Sequence, residues 1–415
     1  MNSVPDNVMG LLEISRRAVK QGDPQTAIQS LSGPAAAADA HPALLNQLGL
    51  AFLAAGRPTD AAAAFARACM ADSSAPGLWL NLADAHRRAG AREQEIAALD
   101  RALALDAYLL PALLAKAEAL NALGENEAAV KCYRNLLAAY PDSRAMAPEV
   151  QKAMQRARAQ VDAHNMEMSV RMAEMVAPII AGKDEADIRR ARVYVDQLCG
   201  IRKIHSPQPV GGHFPFLPNY EFFDEELFPW LGRLEAETGL IRREFLALWE
   251  DGEKAPEPYV AFPAGAPVNQ WQELNHSSKW GAYWLWRDGA RQDECIARCP
   301  GTASLMESLP LLHLSGKGPT VMFSILEPHT RIPPHTGSTN IRGTVHLPLI
   351  VPEGCAFRVG GEIRAWEEGR AWVFDDTIEH EAWNDSDQPR VIMIFDCWNP
   401  YLTEMEREVV LGVGG

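Results

Sequence analysis

Two histidines in the second half of the chain carry the most chemistry. His335 lies in RIPPHTGSTNIRGTVHLPL and His380 in FDDTIEHEAWNDSDQPR. Each follows a turn containing proline or acid, where strands enter a barrel. Two neutral imidazoles on different strands can hold an Fe(II) ion on one side and leave further positions open. NDSDQP reads as a hairpin turn centred near Asp385, which sets His380 and Arg390 roughly opposite each other on adjacent antiparallel strands. A guanidinium facing the metal's cavity offers a two-point grip for a carboxylate. Arg342, Thr344 and His346 share parity on one strand and so point to one face. Ser324, in TVMFSIL, adds a hydroxyl. A metal, a carboxylate-binding arginine and auxiliary donors in one barrel are what an Fe(II) oxygenase needs when its co-substrate is a keto-diacid.

The elements that must position these groups are short strands. From about residue 205 the chain is rich in Pro, Gly and aromatics, and ten of the eleven tryptophans lie from Trp230 onward. DEELFPWLGRLEAETGLIRREFLALWE reads as a helix with acids near its start. WQELNHSSKWGAYWLWRDG, TVMFSILEP, TVHLPLIVP, CAFRVGG, EIRAW, RAWVFDD, HEAWND and RVIMIFDCW read as strands joined by Gly, Pro, Asn and Asp turns. That pattern predicts a jelly-roll barrel.

The first part of the chain is a repeat. Gly22, Gly56, Gly90 and Gly124 recur every 34 residues. Ala27, Ala61, Glu95 and Ala129 follow them by five, and Leu31, Phe65, Leu99 and Tyr133 by nine. Leu11, Leu45, Trp79 and Leu113 precede them by eleven. The small residue lets two helices of a pair touch, the large one fills the groove beside it, and glycine turns the chain between them. The pattern resembles the tetratricopeptide repeat, whose units bury their faces only by stacking. Residues 8–143 form the array, 144–204 a helical cap and linker interrupted at Pro178, and 205–408 the barrel. The fold class is therefore multidomain α + β, an α-solenoid followed by a double-stranded β-helix.

The second half also carries a family resemblance. EFFDEELFPWLGRLE, WGAYWLW, MFSILEPHTRIPPHTGSTNIRGTVHLPLIVPEGC and RAWEEGRAWVFDDTIEHEAWNDSDQPRVIMIFDCWNPYLTEMER are similar to the aspartyl/asparaginyl β-hydroxylases, a family of 2-oxoglutarate-dependent oxygenases. The resemblance implies that His335 and His380 bind the metal, that Arg390 and Ser324 hold the distal carboxylate of 2-oxoglutarate, and that His346 lies near its metal-proximal end. Arg342 is a further candidate for the co-substrate. Fe(II), 2-oxoglutarate and O2 are implied with it, as is hydroxylation of the β-carbon of Asp or Asn in a protein, peptide or peptide-like substrate. Such a substrate could be presented by the repeat groove. Most Fe(II)/2-oxoglutarate enzymes carry an acid two residues after the first histidine, whereas this chain has Gly337, as the animal members of the family do. Thr344 stands where many relatives have a basic residue. Two alternatives remain: a hydroxylase of a free or carrier-bound amino acid, and a tetratricopeptide adaptor with an inactive oxygenase domain.

Other functions are excluded by charge and motif. With 39 basic and 54 acidic residues the net charge is −15, which opposes phosphate backbones and anionic lipid. No apolar run reaches the length of a membrane span. Seven scattered cysteines argue against a disulfide scaffold and fit a cytoplasmic protein. Cys295 and Cys299 have no second pair for zinc, and neither a Walker motif nor a G-x-S-x-G elbow occurs. Asp375, Asp376, Glu379 and Glu381 crowd His380 and are expected to shape its turn or orient its imidazole.

Overall fold

A computed structural model describes residues 5–142, 146–253 and 255–414 and divides the chain into two compact units, Met1–Ala181 and Gly182–Gly415. Residue 143, the expected end of the repeat array, lies outside the described residues.

The first unit is helical. Its helices are α1 (Asp6–Lys20), α2 (Pro24–Ala36), α3 (Pro42–Ala54), α4 (Pro58–Ala71), α5 (Pro76–Arg88), α6 (Arg92–Leu105), α7 (Leu110–Ala122), α8 (Asn126–Ala139) and α9 (Pro148–Ile180). The first eight form four antiparallel pairs. Proline at the first position of α2 through α5 costs no hydrogen bond, because those amides have no intrahelical partner. Gly22, Gly56, Gly90 and Gly124 each end the first helix of a pair with φ between 71° and 78°, a left-handed conformation that a β-carbon opposes. Ala27, Ala61 and Ala129 are buried, as are Leu31, Phe65, Leu99 and Tyr133. Glu95 takes the alanine's place in the third pair and is equally buried, its carboxylate accepting from Arg92 Nη1 at 2.7 Å. Ser15 of α1 is buried too and accepts from Gln47 Nε2. Helix α9 does not break at Pro178 but runs to Ile180. Its first half packs on α8 through Met154, Ala157 and Val161.

The second unit is built on two antiparallel sheets. It holds α10 (Glu185–Leu198), α11 (Leu231–Ala236), α12 (Thr238–Asp251), α13 (Asp293–Arg298), α14 (Pro300–Glu307) and α15 (Glu404–Gly414). Its first strands are β1 (Glu257–Pro258), β2 (Trp280–Arg287), β3 (Ala290–Arg291), β4 (Val321–Leu326), β5 (Thr330–His335) and β6 (Arg342–Ile350). β7 (Cys355–Val359), β8 (Glu362–Ala365), β9 (Trp372–Phe374), β10 (His380–Asn384) and β11 (Arg390–Trp398) follow. The larger sheet has the order β1-β2-β4-β11-β6-β9 with β3 on β2, and the smaller β5-β10-β7-β8. Two facing antiparallel sheets are compatible with the expected jelly roll.

The central strands of the larger sheet are covered on both faces, so β4, β6 and β11 read as nearly unbroken apolar runs. One face carries Phe323, Val345, Met393 and Phe395 into a core completed by Leu234, Ile241 and Phe245 of α11 and α12. The other face carries Ser324, Thr344, His346, Arg390 and Asp396, all buried. Polar side chains at alternate positions of otherwise apolar strands therefore fall together on one inner surface.

The turn NDSDQP does not make a hairpin of β10 and β11. β10 pairs with β5 and β7 in the smaller sheet, and β11 with β4 and β6 in the larger. His380 and Arg390 are thus not cross-strand neighbours, and the turn carries the chain from one sheet to the other. Asn384 builds it, its amide donating to the carbonyls of Leu326, Glu327 and Gln388.

Candidate active site

The two histidines meet where β5 ends and β10 begins, as direct partners across the antiparallel ladder. Their ring centroids are 4.1 Å apart. Each Nδ1 donates to the carbonyl two residues earlier, His335 to Pro333 at 2.8 Å and His380 to Ile378 at 2.9 Å. Backbone carbonyls fix the same tautomer in both rings and leave each Nε2 as the free lone pair. The acids around His380 do not orient it. Asp375 accepts from the amide and hydroxyl of Thr377, while Glu379 and Glu381 pair with Arg358 on the outer face. Burial, reinforced by His380, pushes His335 down to about 3, and burial lowers His380 as well. Both are neutral at pH 7, the form that ligates a metal.

His335 and His380 line a cavity of about 990 Å³ together with Ser324, Arg342, His346 and Arg390. Arg390 is among the largest fully buried side chains and has no carboxylate partner among the described residues. Its Nη1 reaches the Ser324 hydroxyl at 3.5 Å, its Nε has no partner, and burial lowers its pKa to about 10. Ser324 Oγ in turn accepts from Trp280 Nε1 at 3.0 Å. His346 Nδ1 and Thr344 Oγ1 are buried without partners. His346 is held well below its ordinary pKa by burial, then by Arg390 and His380. Buried polar atoms gathered around one guanidinium without an acid partner suit a polar anionic ligand.

Arg342 shares the cavity but is committed elsewhere. It donates to Asp376 at 2.7 Å and Asp396 at 2.9 Å. Burial opposes its charge, yet these two carboxylates outweigh it and raise its pKa. Gly337 is explained by Asp376. A β-carbon at 337 would fall 2.2 Å from that carboxyl group, so the acid of one loop fills the space that a side chain on the other would need. Asp376 Oδ1 has no partner. Among the described residues no group of three or more His, Cys, Asp or Glu is placed to hold a metal, so the protein's own contribution is the histidine pair. Two free Nε2 atoms on neutral rings, beside a buried unpaired guanidinium, fit an iron–diacid pair.

An aromatic wall stands beside the histidine pair. Trp271 meets His335 edge-on at 4.9 Å, and Trp280 stacks on Tyr259 at 3.9 Å. These rings come from the segment before β2 and from β2 itself, Trp271 lying in a 3-10 turn and not in the strand its sequence stretch suggests. Of the other histidines, His329 pairs with Asp387 on the surface and His276 bonds the Phe262 carbonyl.

Residues 235–400 match the family model for aspartyl/asparaginyl beta-hydroxylase. Over these residues the second unit is similar to the aspartyl/asparaginyl β-hydroxylases. Tetratricopeptide repeat models match residues 12–76, 47–109 and 111–143. Human aspartyl/asparaginyl beta-hydroxylase is 35% identical over 175 residues, covering 42% of this chain and 22% of that protein. Human aspartate beta-hydroxylase domain-containing protein 2 is 36% identical over 234 residues, 55% of this chain and 59% of that protein. The ornithine lipid ester-linked acyl 2-hydroxylase of Rhizobium tropici is 32% identical over 188 residues, 44% of this chain and 62% of that one. This chain therefore spans between about a fifth and three fifths of these relatives. Among solved structures, the MamA protein is similar over 37% of this chain and 87% of its own, at 20% identity and a TM-score of 0.30. No helix among the described residues is long and apolar enough to cross a membrane.

Proposed function

We propose that the protein is an Fe(II)- and 2-oxoglutarate-dependent hydroxylase acting at the β-carbon of Asp or Asn in a protein, peptide or peptide-like substrate. The observation that carries this reading is Arg390, a buried guanidinium without an acid, in one cavity with two neutral imidazoles. His335 and His380 would hold the iron through Nε2. Arg390 and Ser324 would take the far carboxylate of the diacid, with the hydroxyl proton of Ser324 turned to it because Trp280 already donates to Ser324 Oγ. His346 and Thr344 supply buried polar atoms toward the keto-acid end. Bound iron, with 2-oxoglutarate and O2, supplies the oxidising power that replaces an aliphatic C–H by C–OH and releases succinate and CO2. The aromatic wall of Trp271, Tyr259 and Trp280 excludes water beside His335. The helical unit offers a repeat surface on which an extended substrate segment could lie.

A second reading is an acyl-chain hydroxylase. It is favoured by the Rhizobium relative's name and by the aromatic lining of the cavity. Both readings are tested together. Anaerobic Fe(II) with 2-oxoglutarate should give a visible charge-transfer band that His335→Ala abolishes. Succinate release in air should then be stimulated by Asp/Asn-containing peptides, which gain one oxygen in mass. A missing band, with His335→Ala indistinguishable from the parent, would leave the adaptor alternative standing. Succinate release stimulated by acyl lipids and not by peptides would select the second reading.

A further inference from the structure

Trp366 stands beside Arg390 in the wall of the cavity. It is buried, at 6% exposure, on the segment between β8 and β9. The Arg390 guanidinium carbon lies 4.9 Å from its ring centroid, within cation–π range, and the His346 ring lies 6.1 Å away. The indole is held in a stack, with Phe357 at 5.5 Å and 28° on one contact and Trp372 at 5.8 Å and 19° on the other. Its Nε1 is buried and unpartnered, as are Arg390 Nε and His346 Nδ1. A buried indole N–H left unanswered costs about as much as a lost hydrogen bond. A ligand in the cavity that all three residues line would answer it.

We propose that Trp366 is a further binding residue for the diacid co-substrate. Its face steadies the Arg390 charge when no diacid is bound, and its indole N–H donates to the diacid when one is. The face and the edge of one ring are separate surfaces, so both roles fit a single side chain. The proposal rests on the co-substrate reading above and adds to it a donor beside Arg390.

The test is calorimetric titration of 2-oxoglutarate into the Mn(II)-loaded full chain without O2, with Mn(II) affinity measured separately by electron paramagnetic resonance. Trp366→Phe keeps an aromatic face for Arg390 and loses the N–H, and Trp366→Leu loses both. A hydrogen bond to a charged group corresponds to roughly a tenfold to hundredfold change in Kd. Trp366→Phe should therefore bind the diacid about tenfold more weakly and Trp366→Leu more weakly still, with Mn(II) affinity unchanged in both. If both variants bind the diacid as tightly as the parent, this proposal alone is overturned. It is also overturned if Mn(II) affinity falls in step with diacid affinity, the mark of a purely structural role. A parent protein that takes up metal and no 2-oxoglutarate overturns the co-substrate reading and this proposal with it.

Discussion

Arg390 and Lys are equivalent in charge and unequal in geometry. A guanidinium offers a planar fork that meets a carboxylate at two points, whereas an ammonium is a single point on a flexible stem. Arg390→Lys should raise the half-saturating 2-oxoglutarate concentration by about ten- to a hundredfold, on the order of 2 kcal/mol, with little change in metal affinity. Initial rates of succinate formation across a 2-oxoglutarate series would show it. Unaltered saturation would mean that the diacid lies elsewhere.

Asp375 makes a different case, because its carboxyl works against the fold at neutral pH. Burial raises it to about 6, and the hydrogen bonds from Thr377 only partly oppose that rise. Unfolded, the same group titrates near 3.9. Between these values the folded protein holds a proton that the unfolded chain has lost, so stability falls as pH rises through this window and levels off above about 6. Asparagine at 375 can accept from Thr377 and cannot ionise. Asp375→Asn should therefore be about as stable as the parent near pH 4 and more stable by about 1–2 kcal/mol at pH 7. Melting temperatures of the two proteins across that range would diverge as pH rises. Parallel curves would refute the assignment.

At the scale of elements, what could be read in the sequence was periodicity. The 34-residue step locates the helix pairs, and the shared parity of Arg342, Thr344 and His346 is realised on β6, where all three line the cavity. The pairing of sheets was not legible. Asn-Asp-Ser-Asp-Gln-Pro carries ordinary turn residues, and nothing local distinguishes a hairpin from a passage between sheets. The side-chain amide of Asn384 decides it by bonding backbone from a different strand end, a long-range contact. The fate of Arg342 was illegible for the same reason, since Asp376 and Asp396 are 34 and 54 residues away.

Glycines inside elements follow the same logic of contact over propensity. Gly49 lies within α3, where alanine is ordinarily favoured by about 1 kcal/mol. Here an added β-carbon would stand 2.6 Å from the ring of Phe65 on α4, and that ring is wholly buried. Overpacking costs about 1–3 kcal/mol and outweighs the propensity. Gly49→Ala should lower the denaturant midpoint of the helical unit, whereas the same change at Gly77, with open space around it, should not.

At the scale of the whole molecule the chain combines a solenoid, stable through neighbour contacts, with a two-sheet unit that encloses unsatisfied polar groups. These two kinds of stability respond differently to ligands. A ligand stabilises only the state that binds it, by about 2.7 kcal/mol at a hundred times its Kd. The histidine pair, Arg390 and Ser324 all belong to Gly182–Gly415, and none belongs to the repeats. Mn(II) with 2-oxoglutarate should thus raise the melting temperature of the second unit by about 5–10 °C and leave the helical unit's transition in place. Differential scanning calorimetry separates the two, because a chain of this kind need not melt in one step. The assignment can be made with His335→Ala, which should abolish the shift. A transition that moves in the His335→Ala variant as it does in the parent would place the metal and the diacid outside the cavity between the sheets.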